Sequence, residues 1–505
     1  MSERASTRRR STRRGLKTAL GIGGIGALVL AGTAAATTTS WTLQHTIPYP
    51  GAGILAAFGN AVALSPDGNT AVVGAPAQGN DKGSVVFYSR LDDKWIQRET
   101  IPDPEGAIRA KFGSSVAVST NGQTALVGTD GAGPGFVAIY ARTGATWALQ
   151  QLIPNPGHAG AFGGLVALSS SGSTVAVGAF GAQEVWIYTR SSATWSLQQT
   201  ISVPATTPGG FGQAVALSAN GSTLLVGAPS AMGGSADTYE PAGAAWIFAR
   251  HAATWTQQGP SIPGRTPGGN FGWAVALSPD GTIAAVGTPA VDRNMGSVTI
   301  AIRHGEVWSR AQTLLEPGQP DQVSGYGDAF GTSVAAASAG HTIVVGAPLR
   351  HRWARGAVVT FARTGSKWVR THTISGPGTG STDIFGTAVA GSADATTLMV
   401  GAPGALRGNG SVSIYTVPAL AVRWTVARDF VTALIRPRAG AVRYSLTATS
   451  PGGATRTGVC NLIGTGTHKR ARCTRSLPCG IWTLTAQAHS TTSVIAQAIH
   501  SVLVH

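Results

Sequence analysis

Arg350, Arg352, Trp353 and Arg355 fall within six residues of one another. Three guanidinium groups offer paired donors for carboxylates or phosphates, and an indole offers a flat apolar face. Arginine and tryptophan are frequent interface anchors, so this basic run is the first candidate for ligand contact. Acids are scarcer. Glu240, Glu316 and Asp321 stand in loop-like segments, and nothing around them marks a general acid with its base. Asp67 and Asp280 occupy Ser-Pro-Asp-Gly runs, but Asn121, Ser171 and Asn220 hold the matching positions elsewhere. A position open to Asp, Asn and Ser is a turn former rather than a catalyst. The 11 histidines, His341 and His351 among them, form no His-x-x-x-His or His-Glu-x-x-His run suited to zinc. The chain also lacks a Gly-x-Ser-x-Gly elbow and a phosphate loop ending in Gly-Lys-Ser/Thr.

The elements that must position these residues repeat. Phe-Gly occurs at Phe58, Phe112, Phe162, Phe211, Phe271, Phe330 and Phe385, at steps of 54, 50, 49, 60, 59 and 55 residues. Sixteen residues after each Phe stands another glycine: Gly74, Gly128, Gly178, Gly227, Gly287, Gly346 and Gly401. Between them lies an apolar run, a turn such as Asp67-Gly68 or Asn121-Gly122, and a second apolar run. Asp-Gly and Asn-Gly supply the positive φ that hairpins require. One inserted residue would flip a strand's faces, so the constant length implies constant register. Both runs barely alternate, which predicts strands buried on both faces.

A third apolar run ends before an Arg in most copies, as at Val185-Trp186-Ile187-Tyr188. A fourth starts at Trp41, Trp95, Trp147, Trp195, Trp255, Trp308 or Trp368 and alternates apolar with polar residues. Four strands in about 50–60 residues describe a propeller blade. The expected fold is all-β: a seven-bladed β-propeller of four-stranded blades over residues 41–418, then a small β-sandwich domain over 422–505. The strand at Trp41 precedes the first Phe-Gly and can complete the seventh unit, which ends on Ser411 to Tyr415. Closure by Trp41 is preferred, with Arg423-Trp424-Thr425-Val426 as the alternative.

Composition agrees. With 69 Gly in 505 residues the chain is a poor helical bundle, and 43% hydrophobic with 11% charged residues opposes disorder. The net charge of +16 admits nucleic-acid binding, but residues 1–36 carry seven bases and one acid. The remaining 30 bases and 20 acids leave +10, spread thinly, and a solvated basic surface is the better reading. The N-terminal bases precede the mildly apolar run Thr18 to Ala36, which ends in small residues. This reads as a signal peptide over residues 1–36, with an uncleaved anchor as the alternative. Thr12-Arg13-Arg14-Gly15-Leu16-Lys17 resembles the twin-arginine signal of bacterial export. The expected location is secreted or at the cell surface.

The Phe-Gly and Gly-Ala-Pro positions together resemble the FG-GAP repeat, known from the N-terminal propeller of integrin α subunits and from exported bacterial proteins. Trp-x-x-x-Gln strands such as Trp147-Ala148-Leu149-Gln150-Gln151 match the bacterial type more closely. The resemblance implies a binding or adhesion role and, in the integrin type, calcium loops. Those loops would need Asp-x-Asp-x-Asp-Gly runs, which are absent. Gly79-Asn80-Asp81-Lys82-Gly83 and Val291-Asp292-Arg293-Asn294 each set one acid beside a cation, so solvated loops and no cofactor are expected, with a weak calcium site as the alternative. Residues 422–505 resemble a shortened fibronectin type III or related immunoglobulin-like domain. All three cysteines lie there, and an exported chain favours a disulfide. Cys460 with Cys473 is the preferred pair, leaving Cys479 over, although spacing alone leaves the pairing open.

Three loops are individual to their blades: Ser230 to Gly243, Glu316 to Ala329, and Leu349 to Arg355. Loops on a rigid ring carry function, and Arg350, Arg352, Trp353 and Arg355 are the candidate ligand-binding residues. The expected function is a non-catalytic, monomeric binding or adhesion module for an extracellular protein or glycan. Two alternatives are an envelope structural protein without a specific ligand, and a hydrolase or lyase acting on carbohydrate through the propeller funnel.

Overall fold

The computed structural model describes residues 41–417 except 52–54, 93, 132–134, 158–159, 204–208, 232–240, 317–326, 351–354 and 379–381, together with seven strands between Val422 and Val504. Residues 1–36, expected to be a signal peptide, and Arg352, Trp353, His351, Glu240, Asp321 and Cys479 lie outside the described residues. Residues 41–417 form a seven-bladed β-propeller of antiparallel sheets. The first blade runs outward from the axis as Val62–Leu64, Thr70–Ala75, Ser84–Leu91 and Lys94–Pro102. Five further blades repeat this order. In the fourth, Gly259 and Pro260 split the outer strand into Thr254–Gln257 and Ile262–Pro263, which both pair with Ala244–His251.

The ring closes as the phase of the repeat predicts. Thr42–Pro48 pairs antiparallel with Ser411–Thr416 and supplies the outer strand of the seventh blade. Trp424 lies instead on Val422–Ala427, which pairs with Phe430–Ile435. Closure between the two ends of the repeat leaves neither half-blade with an open edge.

Burial follows strand position. The second strands are buried along their whole length, as at Thr70–Ala75 and Thr223–Ala228, except at half-buried Thr342, which opens that of the sixth blade. The innermost strands are only partly buried, as at Ser333–Ala337, because they line the axis of the ring. Full burial of both apolar runs therefore holds for the second run alone. Among the described residues, seven apolar clusters each join one blade to the next, the last joining the seventh to the first.

The sixteen-residue glycine is explained by the neighbouring blade. A Cβ on Gly74 would lie 1.9 Å from the carbonyl oxygen of Gly113, the glycine of the next Phe-Gly pair. The same contact recurs around the ring and ends with Gly401 against Gly59, also at 1.9 Å. Each Phe of the pair is buried to within 2%. The residue before it takes positive φ in all seven blades, from Ala57 to Ile384, and its carbonyl accepts the N–H three residues on.

The outer strands are bound by side chains. The Gln151 carboxamide accepts the Trp195 N–H at 2.9 Å and donates to the Trp195 carbonyl at 3.0 Å. Gln199 does the same to Trp255, and Gln312 to Trp368. The Trp-x-x-x-Gln spacing thus places a backbone-mimicking amide against the next blade. On the hairpin face, Arg142, Arg190 and Arg250 each donate to a threonine hydroxyl of the preceding blade. Asp67 caps its own turn, accepting the Ser65 hydroxyl and the Asn69 N–H, which fits the turn-former reading.

The seven C-terminal strands follow one antiparallel path. Numbered one to seven in chain order, they lie in the order one-two-five-four-three-six-seven. The fourth, Thr455–Ile463, pairs at its start with Arg443–Thr449 and at its end with Arg470–Ser476. That second register sets Cys460 opposite Cys473.

Gly227 offers a direct test of the blade contact, since its Cβ position lies 2.0 Å from the Gly272 carbonyl. Gly227→Ala must force the fourth and fifth blades apart and is expected to cost about 3 kcal/mol, at the upper end of overpacking changes. Denaturant unfolding checks this; a loss below about 0.5 kcal/mol would show that the interface yields without strain.

Candidate functional site

The ring has two unlike faces. On one, six of the seven hairpins between first and second strands repeat a single pattern: a Ser hydroxyl accepts the backbone N–H five residues on, at Ser65, Ser119, Ser169, Ser218, Ser278 and Ser392, while the sixth blade turns instead through the 3-10 segment Ser338–Gly340. The other face carries the loops that follow the second and fourth strands. Here the blades differ in length and chemistry, and here the candidate residues lie.

Arg350 follows the second strand of the sixth blade, Thr342–Ala347. It is not an open anchor. Its guanidinium donates to the fully buried Glu316 carboxylate, from the end of the fifth blade, and lies 3.9 Å from Asp328. Arg370 approaches the same Glu316 oxygen at 3.8 Å. The cluster therefore ties the bases of two of the individual loops. Arg355 is exposed, and its carbonyl accepts the Phe385 N–H at 3.1 Å. Glu316, which sequence alone did not single out, is thus the centre of a buried charge network. Burial pushes its carboxyl above the usual range, against the lowering pull of Arg350 and then Arg370.

Beside Arg355 a cavity of about 680 Å³ opens between the sixth and seventh blades. The segment Gly376-Pro377-Gly378 forms one side and Gly404-Ala405-Leu406-Arg407 another. Asp383 lines it with 6% of its surface exposed, and the hydroxyls of Thr46, Thr382 and Ser411 border it. Phe385 lies beneath, held by the blade-to-blade packing. The geometry of Arg407 is set by its loop. Leu406 and Arg407 both take positive φ, and the Gly410 N–H closes the turn on the Ala405 carbonyl. Asn80 with Asp81 and Asp292 with Arg293 form the same left-handed turn in the first and fifth blades. Those are the segments where calcium loops would have been sought. Among the described residues no group of three or more His, Cys, Asp or Glu side chains comes together to hold a metal.

Ile384, between Asp383 and Phe385, has φ of 45°, a region that costs an L-residue roughly 1–2 kcal/mol. Packing of Phe385 and the turn to Thr387 hold it there. Two further departures mark this face. Trp273 is 42% exposed at the start of the fifth innermost strand, where three other blades carry Ser or Thr. Asp130 replaces the proline of Gly-Ala-Pro in the second blade, and burial raises its carboxyl pKa against the lowering pull of Lys111. Both were legible as breaks in the repeat.

No protein-family model matches the chain, and no curated protein does. Among solved structures it is similar to a 6-phosphogluconolactonase candidate from Bacteroides uniformis, at 14% identity, TM-score 0.46, over 63% of this chain and 85% of that one. Hydrazine synthase of Kuenenia stuttgartiensis is similar at 15% identity, TM-score 0.47, over 73% and 97%. A protein from Lactobacillus plantarum is similar at 15% identity, TM-score 0.44, over 63% and 85%.

The raised pKa of Glu316 has a defined sign. A carboxyl that holds its proton more tightly in the folded than in the unfolded state contributes less to stability as pH rises above its unfolded value near 4.5. The melting temperature of the protein relative to Glu316→Gln is therefore expected to fall between pH 4.5 and 7. A difference that stays flat or rises over that range would show that pairing with Arg350 outweighs burial.

Proposed function

We propose that this chain is an exported, non-catalytic binding or adhesion module of the FG-GAP type, monomeric, whose loop face holds an extracellular protein or glycan. The observation that carries the reading is the contrast between the two faces. The hairpin face repeats one hydrogen-bond pattern, while the loop face concentrates the departures: the cavity with Asp383 and Arg407, the Glu316–Arg350 cluster, and exposed Trp273. A rigid ring that fixes divergent loops is suited to recognition. The basic N-terminal segment supports export, and a spread positive charge supports contact with acidic surfaces rather than with nucleic acid. The purified protein is expected to bind a cell-wall fraction or an arrayed extracellular protein saturably. Turnover on a panel of glycans, abolished by one acidic substitution, would replace this reading with that of a carbohydrate-active enzyme.

The tail is read as an immunoglobulin-like domain. Its strand order agrees with an arrangement in which the first, second and fifth strands form one sheet, the third, sixth and seventh another, and the fourth lies at their border. A disulfide between Cys460 and Cys473 is supported by their opposed positions, since Cα atoms of directly opposed strand residues lie about 4.5–5.5 Å apart, within disulfide reach. Non-reducing peptide mapping is expected to recover these two cysteines linked and Cys479 alkylated. Alkylation of all three without reduction would exclude the bridge.

A further inference from the structure

We propose that the C-terminal domain is a second contact surface, separate from the loop face, and that one of its sheet faces binds an acidic polysaccharide. Charge that looks thinly spread over the whole chain is uneven when counted by domain. Residues 37–421 carry 20 bases and 19 acids, a net +1, whereas residues 422–505 carry 10 bases and one acid, Asp429, a net +9. One acid cannot neutralise ten cations, and the propeller has no surplus of acid to offer. Like charge held on so short a segment opposes the compact state and attracts an anionic partner.

Register gathers part of this charge on one side of the sheet. Directly opposed residues of antiparallel strands share a face. Arg423 is opposite Leu434, Leu434 is opposite Arg472, and Arg472 is opposite Asn461. Arg470 stands two residues before Arg472 on the same strand and so belongs to the same face. Arg423 and Arg472 are two strand spacings apart, about 9.5 Å, and Arg470 and Arg472 are about 6.7 Å apart along the strand. Thr425, Thr432 and Thr474 form the next row on that face. The alternate rows hold Trp424, Ala433, Cys473 and Cys460. One face is thus polar and basic and the other apolar, the pattern of an antiparallel sheet packed on one side only.

The composition of this face selects the ligand. A guanidinium pairs with a carboxylate through two parallel hydrogen bonds. Threonine and asparagine positions between the arginines match the hydroxyls of a sugar chain. An extended polymer can follow the sheet and meet several cations at once, which multiplies individually weak contacts. Single-stranded nucleic acid calls for a series of aromatic platforms, and Phe430 is the one aromatic residue in the paired rows of this face. Duplex DNA is read by an element that enters a groove, and a face four strands wide is too broad to do so.

Titration calorimetry of the purified protein with polygalacturonate, its carboxyl-reduced counterpart, duplex DNA and phosphatidylglycerol vesicles tests the assignment. Polygalacturonate is expected to bind and to be released by added salt. The combined variant Arg423→Gln, Arg470→Gln, Arg472→Gln is expected to weaken it by roughly 100-fold. The combination Lys82→Gln, Lys94→Gln, Lys367→Gln removes the same charge from exposed sites of the propeller and is expected to change the affinity little. Should the first variant fail to fold, Arg470→Gln alone, at the first residue of its strand, is expected to weaken binding by roughly 5-fold with the melting temperature kept. Equal weakening by the two combined variants would assign binding to the net charge of the whole protein and overturn the proposal. Reduced polymer binding as tightly as the acidic one, DNA or vesicles binding more tightly at the same ionic strength, or no binding of polygalacturonate would overturn it too. The loop-face reading is judged separately, by saturable partners that the Arg423, Arg470 and Arg472 variant retains.

Discussion

The ring depends on bare backbone meeting bare backbone. The sixteen-residue glycine of each blade lies so close to the Phe-Gly glycine of the next that a single methyl group would fall 1.9–2.1 Å from a carbonyl oxygen. This contact sets the spacing between blades, and the spacing lets each buried Phe enter the apolar layer between them. Because the seventh blade meets the first in the same way, the constraint is cyclic: an error at one interface is carried to every other. The fixed sixteen-residue distance and the antiparallel closure by Thr42–Pro48 both follow from it.

Where the repeat loses a residue, another chemical group replaces its bond. The third blade lacks the glycine that elsewhere precedes the third strand and pairs with the next Phe. There the Gln183 carboxamide oxygen accepts the N–H groups of Gly209 and Phe211 at 3.2 and 2.9 Å. Glu99 stands where other blades use Gln and keeps only the accepting half of the bond, to the Trp147 N–H at 3.0 Å. Satisfaction of backbone polar groups at the blade interfaces is preserved although residue identity is not.

Most of the individuality of the described residues lies on the loop face. Hairpins on the opposite face are each locked to a neighbouring blade and have little freedom to vary. Loops after the second and fourth strands need only return the chain to the next strand, so they can diverge in length and charge without disturbing the ring. Glu316, Arg350, Asp383 and Arg407 all belong to this freer set, and so does the strained backbone at Ile384.

The sequence by itself determined the all-β class, the number of blades, the strand register and the strand that closes the ring. Those properties are local and repeated: Phe-Gly, the hairpin turn and the sixteen-residue glycine recur at fixed spacing, and register is a matter of counting. It also marked the basic run that includes Arg350 and Arg355. Only the tertiary structure decided that Arg350 is tied down by Glu316, 34 residues away, while Arg407, in an unremarked loop, stands open beside Asp383. Charge partners and cavities arise where segments distant in sequence meet across a blade interface. The angle and separation of that meeting are fixed by packing, which no one segment encodes.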